Sequence, residues 1–228
     1  MLYIILIVIA IILTFLTSHI LSYKHINMDQ GINIQQTEHP SPDVIYKMMS
    51  TRLPCIFMYE IELWDGYDLL IGYPYEAIST VLLDNKDLIK TLKKEYLTPF
   101  ALPLSRDWSV NLIKQEQTWD DLITKPIKEV HYNHLIGNFS GLMMVCLIHP
   151  KHEKLIADYL DTTNSSNDKP ASFTKYLETA NPELEYLTVP IRPGHVLYIP
   201  YGWYYYIYCG QEKSYTLYLD LVNNTWFN

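Results

Sequence analysis

Paired cysteines are missing from this chain. Its 228 residues hold three, Cys55, Cys146 and Cys209, and none stands in a C-x-x-C pair. An odd number without metal-site spacing excludes both a disulfide framework and a cysteine zinc site. Cys146 lies inside the apolar run LMMVCLI, where a cysteine behaves as a small buried hydrophobe. Free thiols of this kind fit a reducing compartment. Positive charge is scarce as well: 17 Lys and Arg face 25 Asp and Glu, a formal net charge of -8. A nucleic-acid surface would need clustered Lys and Arg, and adhesion to anionic lipid would need a broad basic face. Catalytic signatures are absent too: there is no G-x-S-x-G elbow, no phosphate-cradling glycine loop and no H-E-x-x-H. Asp120-Asp121 and the Glu183, Glu185 pair read as solvated acidic faces rather than paired acid and base.

Charge is missing altogether from Met1 to Tyr23, where Leu2 to Leu16 is almost wholly aliphatic. At about 1.5 Å per residue, 20 to 23 residues reach roughly 30 to 35 Å, the thickness of a bilayer core. No basic residue precedes the run and its apolar core is too long for a cleaved signal peptide. The expectation is an uncleaved single-pass membrane anchor over residues 1–23. Lys24 and His25, then Lys47 and Arg52, follow it, and the positive-inside bias leans towards a body on the cytoplasmic side. Three N-x-S/T triplets, at Asn138, Asn164 and Asn223, would be usable only on the other side.

What is present is apolar and aromatic residue in quantity, 49% and 14% of the chain, with twenty tyrosines. Residues 24–42 are polar and carry EHPSP, which reads as a linker; residues 43–228 read as one domain of ordinary size. A short helix is expected over Asp43 to Thr51, with Ser41 as N-cap and Pro42 at its first position. Leu53 to Leu63 reads as a strand. Ile78 to Tyr96 shows helical spacing, and Trp119 to Ile123 reads as another short helix. From Ile127 to Ile148 the pattern is of strands, with a corner expected at Ile136-Gly137. Lys154 to Leu160 reads as a helical stretch, and Thr162 to Ser172 as a surface loop. Ser214 to Val222 (SYTLYLDLV) alternates as a half-buried strand.

Thr188 to Tyr208 (TVPIRPGHVLYIPYGWYYYIY) is the most structured stretch to the eye. It turns at Pro193-Gly194, runs as a strand from Val196 to Ile199, breaks at Pro200-Tyr201-Gly202 and runs again from Trp203. Proline presets φ and glycine accepts a positive φ without steric cost. Short strands separated by such corners suggest a small wound barrel or sandwich.

These residues resemble the C-terminal signature of the JmjC-type, cupin-like family. The match rests on Pro193-Gly194-His195, on Leu197-Tyr198-Ile199-Pro200 and on Gly202-Trp203. Upstream, Gly141 to Pro150 (GLMMVCLIHP) is similar to that family's glycine-initiated strand, and His131-Tyr132-Asn133 falls where it places His-x-Asp. The resemblance covers about residues 50 to 222. It implies a mainly β fold with peripheral helices, a double-stranded β-helix (cupin or jelly-roll barrel), here preceded by the expected N-terminal transmembrane helix.

In active members of that family two histidines and one carboxylate hold Fe(II), leaving open positions for 2-oxoglutarate and oxygen. The matching positions here are His131, Asn133 and Tyr205. An amide replaces the carboxylate, and a phenol, which ordinarily titrates near pH 10, replaces the distal histidine. Lys151 is the candidate by proximity for the 2-oxoglutarate carboxylate. Tyr198, Trp203 and Tyr205 either fill the barrel or line a ligand-sized aromatic pocket, while Tyr204 and Tyr206 face outward or line an adjoining surface. His131 and His134 lie on opposite faces of a strand, and His149 and His152 read as solvent-facing.

The expectation is therefore a membrane-anchored cupin-like protein with a degraded iron triad. It would act as a binding or structural module with a protein partner, without catalytic residues, bound metal or cofactor, and without nucleic acid. Its style resembles proteins of large DNA viruses, which implies a place at a virion membrane. Two alternatives stay open: a divergent Fe(II)/2-oxoglutarate hydroxylase, and a membrane-tethered assembly protein with no ligand pocket.

Overall fold

A computed structural model describes residues 2–24, 31–58, 86–91, 94, 97, 105–116, 128–129, 134–157, 184–209 and 215–225. The aliphatic N-terminal run forms a helix, α1 (Leu2–Lys24). The expected transmembrane helix is corrected: among the described residues, no helix is long and apolar enough to cross a membrane. The large apolar side chains of α1, from Tyr3 to Phe15, are exposed.

Among the described residues, the rest of the chain is sheet-rich with few helices. In chain order it comprises β1 (Gln35–Glu38), α2 (Pro42–Ser50), β2 (Cys55–Met58), α3 (Lys86–Thr91), β3 (Ser105–Glu116), β4 (Lys128–Glu129), β5 (His134–Ser140), β6 (Met143–Ile148), a 3-10 turn (Pro150–His152), β7 (Tyr186–Ile191), β8 (His195–Ile199), β9 (Tyr204–Cys209) and β10 (Tyr215–Thr225). Ser41 caps α2 by backbone geometry, without a side-chain hydrogen bond, and Pro42 stands in its first turn, where a missing N–H costs nothing. Of the helix expected over Ile78 to Tyr96, the described part is centred on α3. The helix expected over Trp119 to Ile123 and the loop over Thr162 to Ser172 lie outside the described residues.

Six strands form one sheet in the order β1-β2-β8-β5-β10-β3, and four form a second in the order β4-β9-β6-β7. From β3 to β10 the chain passes between the two sheets at every step but one, β6 and β7 being neighbours in the smaller sheet, and pairs antiparallel throughout. The two sheets face each other around one apolar interior. β1 adds to the edge in parallel with β2, although it lies within the segment read as a linker. Ile32 and Ile34, just before it, pack against the interior and draw that segment onto the body.

Strand alternation assigns each residue a face. Ile56, Ile136, Leu197 and Ile199 from the larger sheet meet Met143, Val145, Leu147, Val189, Ile191, Tyr205 and Ile207 from the smaller, with Trp203 among them. Each such aliphatic side chain contributes about 1.5–3 kcal/mol through its removal from water. The opposite faces are buried too. On the larger sheet Cys55, Phe57, Leu135, Tyr198 and Leu221 are sealed from solvent. On the smaller, Cys146, Ile148, Tyr204 and Tyr206 pack with Ile156 and Leu184.

One end of the barrel is closed by tight turns. The corner expected at Ile136-Gly137 is not there: β5 runs through both residues, paired to β8 and β10. The chain reverses instead at Gly141, where φ is 79°. Asn138, fully buried, donates its amide to the Gly141 carbonyl (2.9 Å) and the Ile191 carbonyl (2.6 Å). Its own carbonyl accepts from Gly194 N–H at 2.9 Å. One asparagine thus ties the β5–β6 turn to the β7–β8 turn. The Arg192–His195 turn has Pro193 second and Gly194 third at φ 89°, the pattern of a type II turn.

Candidate functional site

The other end of the barrel, where β8 and β6 finish and β5 and β9 begin, carries the polar groups. Its entry is the turn Pro200-Tyr201-Gly202-Trp203, closed by Trp203 N–H donating to the Pro200 carbonyl at 3.4 Å. Gly202 takes φ 80°, where any side chain would be strained. The turn drives Trp203 inward to 1% exposure and starts β9 so that Tyr205 and Ile207 point into the barrel while Tyr204 and Tyr206 point out.

Tyr205 does not end against aliphatic carbon. Its hydroxyl lies 3.4 Å from Nε2 of His134, and the two rings meet edge to face at 5.0 Å between centroids. The same Nε2 is in hydrogen-bonding contact with Oδ1 of Asp220. His134 and Asp220 share the inner face of the larger sheet, since His134 pairs with Val222 and Asp220 with Ile136, two residues along the ladder. Tyr205 reaches them from the facing sheet. The side chains of His134 and Asp220 are 9% and 14% exposed, so the pair sits at the rim: reachable, yet poorly solvated. Asn111 is directly opposite Asp220 on β3 and is exposed.

This geometry limits the chemistry. A proton relay through an imidazole needs different partners on its two ring nitrogens, as in a Ser-His-Asp arrangement. Here carboxylate and phenol both address Nε2. A nucleophile with a base and an orienter is therefore not what these three residues form. Among the described residues, no group of three or more His, Cys, Asp or Glu side chains is placed to hold a metal ion.

His131 and Asn133 lie outside the described residues, so of the three positions matched to the family triad only Tyr205 is placed. Fe(II) is the ion the resemblance implies, and the donor set does not fit it. An imidazole, an amide oxygen and a phenol include no carboxylate to balance a 2+ charge, and a phenol must give up a proton, ordinarily near pH 10, before it ligates well. Trp203 is inside, as a lining residue should be. Tyr198 is not. It sits on the opposite face of β8, paired with Cys55 and Leu135, and burial pushes its hydroxyl far up, partly offset by Arg52. Lys151 points away to Glu185, with Nζ 2.6 Å from Oε2 on the surface. That ammonium, by hydrogen bond and charge, holds the Glu185 carboxyl below its usual range.

His149 and His152 are not solvent-facing. They are 2% and 9% exposed, because each is used as an acceptor. His149 Nδ1 accepts from Lys151 N–H at 3.1 Å, capping the 3-10 turn, and its ring packs edge to face on Trp203. His152 Nε2 accepts from Glu185 N–H at 3.3 Å. The HPKH sequence thus fastens the end of β6 to the start of β7.

Sequence reasoning missed Asp220 and gave His134 no partner. The available signal was Asp220 in SYTLYLDLV, a lone carboxylate in an apolar strand. No protein-family model matches this chain and no curated protein matches it in sequence.

Proposed function

We propose that this chain is a JmjC-like, cupin-like barrel protein that works as a binding or structural module for a protein partner and not as an oxygenase. The observation that carries the reading is the place of Tyr205. At the position where the resemblance expects the distal metal-binding histidine, a phenol stands 2% exposed among Trp203, Leu147 and Ile207, its hydroxyl turned to His134. The alternation of β3 to β10 between two sheets supports the cupin-like assignment. The apolar filling of the interior supports packing over turnover.

The test is 2-oxoglutarate binding to the full chain by anaerobic calorimetry, with Fe(II) or Mn(II) present, alongside succinate release in air. The expected result is neither metal-dependent 2-oxoglutarate binding nor succinate above the protein-free rate. Metal-dependent binding of 2-oxoglutarate would overturn the reading in favour of a divergent hydroxylase.

A further inference from the structure

We infer that His134, Asp220 and Tyr205 form a divalent-cation site at the rim of the barrel. The inference deepens the binding-module reading by naming what the barrel mouth takes, and it rests on the cluster rather than on the family positions 131 and 133. Three donors converge from strands far apart in sequence: His134 and Tyr205 are 71 residues apart, His134 and Asp220 86. They supply an imidazole nitrogen, a carboxylate and a phenol oxygen. Borderline cations such as Zn(II) bind nitrogen and oxygen donors of this kind, often through three protein ligands with water in the remaining position.

The spacing agrees. With donors about 2.0 to 2.2 Å from an ion, neighbouring donors of a tetrahedral site lie about 3.3 to 3.6 Å apart. Tyr205 and His134 are 3.4 Å apart. Asp220 Oδ1 is closer to Nε2 than that and would swing outward as the ion enters. Asp220 also contributes the negative charge that positions 131, 133 and 205 lack. The imidazole nitrogen, the carboxylate and the phenol oxygen each carry a lone pair that a cation can take. A cation at their centre satisfies all three lone pairs together. The partial exposure of the two ionisable side chains leaves a route from solvent, and Asn111 beside Asp220 places an amide oxygen on the same face.

The site is tested with metal alone. The full chain, stripped by chelator and shown folded by near-ultraviolet circular dichroism, is titrated with Co(II), and Zn(II) is used in competition. One equivalent is expected to bind, with the visible ligand-field bands of low-coordinate Co(II) and their loss on Zn(II) addition. Asp220→Asn keeps the side-chain shape and is expected to weaken Co(II) about tenfold or more, the scale set by lost ligation-shell contacts. Tyr205→Phe is expected to bind with altered bands. Absence of stoichiometric binding by the folded chain would overturn the site. So would binding undiminished in Asp220→Asn, or binding lost instead in His131→Ala. None of these outcomes depends on 2-oxoglutarate, so failure of the site and failure of the binding-module reading are told apart.

Discussion

Tyr205 and His134 belong to opposite sheets, yet the phenol oxygen of one lies 3.4 Å from Nε2 of the other. The contact bridges the two layers at the open end of the barrel. Tyr205→Phe keeps the ring in the core and removes only the hydroxyl. Its expected cost is about 0.5–1.5 kcal/mol, the net worth of one hydrogen bond. Tyr205→Ala empties a space between Leu147 and Trp203 and should cost about 3–5 kcal/mol, as buried aromatic truncations do. Urea denaturation followed by tryptophan fluorescence separates the two; equal losses would mean that the ring contributes nothing by packing.

The pair His134 and Asp220 should be non-additive. His134→Leu strands a carboxylate against the apolar interior, and loss of one partner of a buried pair costs about 3–5 kcal/mol. Both side chains are slightly exposed, so the lower end of that range is expected. The double variant His134→Leu/Asp220→Leu removes both polar groups and should be more stable than either single variant. A double-mutant cycle in urea checks this, and additive losses would show that the two groups act independently.

What the sequence made legible divides along a physical line. Turns carried by residues with special backbone freedom were readable: Pro193-Gly194 and Pro200-Tyr201-Gly202 sit where their chemistry demands. Gly137 misled, because a glycine inside a strand looks like a corner until its pairing with Val196 and Leu219 is known. The strand Ser105–Glu116 went unread. Its Trp108, Val110 and Leu112 alternate, but Arg106, Asp107 and Lys114 dilute the pattern in a strand at the sheet edge. Asp220 was hidden for a different reason. The alternation in SYTLYLDLV marks a half-buried strand without assigning its faces, and Leu221 lies on the outer buried face with Leu135 while Asp220 turns into the barrel. Both faces of this sheet are covered, so polarity alone does not say which is the interior.

Asn138 is predicted to be the most sensitive polar position at the closed end. Asn138→Ala leaves the Gly141 and Ile191 carbonyls without their amide partner in a buried site. At about 1–3 kcal/mol per unsatisfied buried group, a loss of roughly 2–4 kcal/mol is expected. Asn138→Asp should be worse, because an ionised carboxylate has no proton to donate. The same burial closes the Asn138-Phe-Ser triplet to glycosylation in the folded chain. Expression in a secretory system followed by peptide mapping should find Asn138 unmodified; a glycan there would contradict its place in the core.

Cys55 and Cys146 should be silent towards thiol reagents in the native state. Burial pushes both thiols up to about 12, and only the thiolate reacts readily. Iodoacetamide at pH 8 followed by mass mapping should leave both unlabelled over hours and label both in urea. Rapid native labelling of Cys146 would show that the packing of Tyr206 and Ile156 around it opens easily.

Acid should loosen the end of β6 through His152. Burial first, and then the Lys151 charge, hold its imidazole below the ordinary value of 6.5, with Glu185 opposing them. The neutral ring is needed as acceptor for Glu185 N–H. The folded chain therefore binds this proton less readily than the unfolded chain does, so stability rises with pH wherever the unfolded histidine is still protonated. The contribution is fully present above about pH 6.5 and is lost as pH falls through the lower folded value. His195 moves in the same direction, by burial and by Arg192, and must be removed from the comparison. In a His195→Gln background, urea midpoints measured from pH 8 to pH 5 should fall with acid. A further His152→Gln change should flatten that fall while lowering the midpoint at pH 8. An unchanged slope would place the acid sensitivity elsewhere.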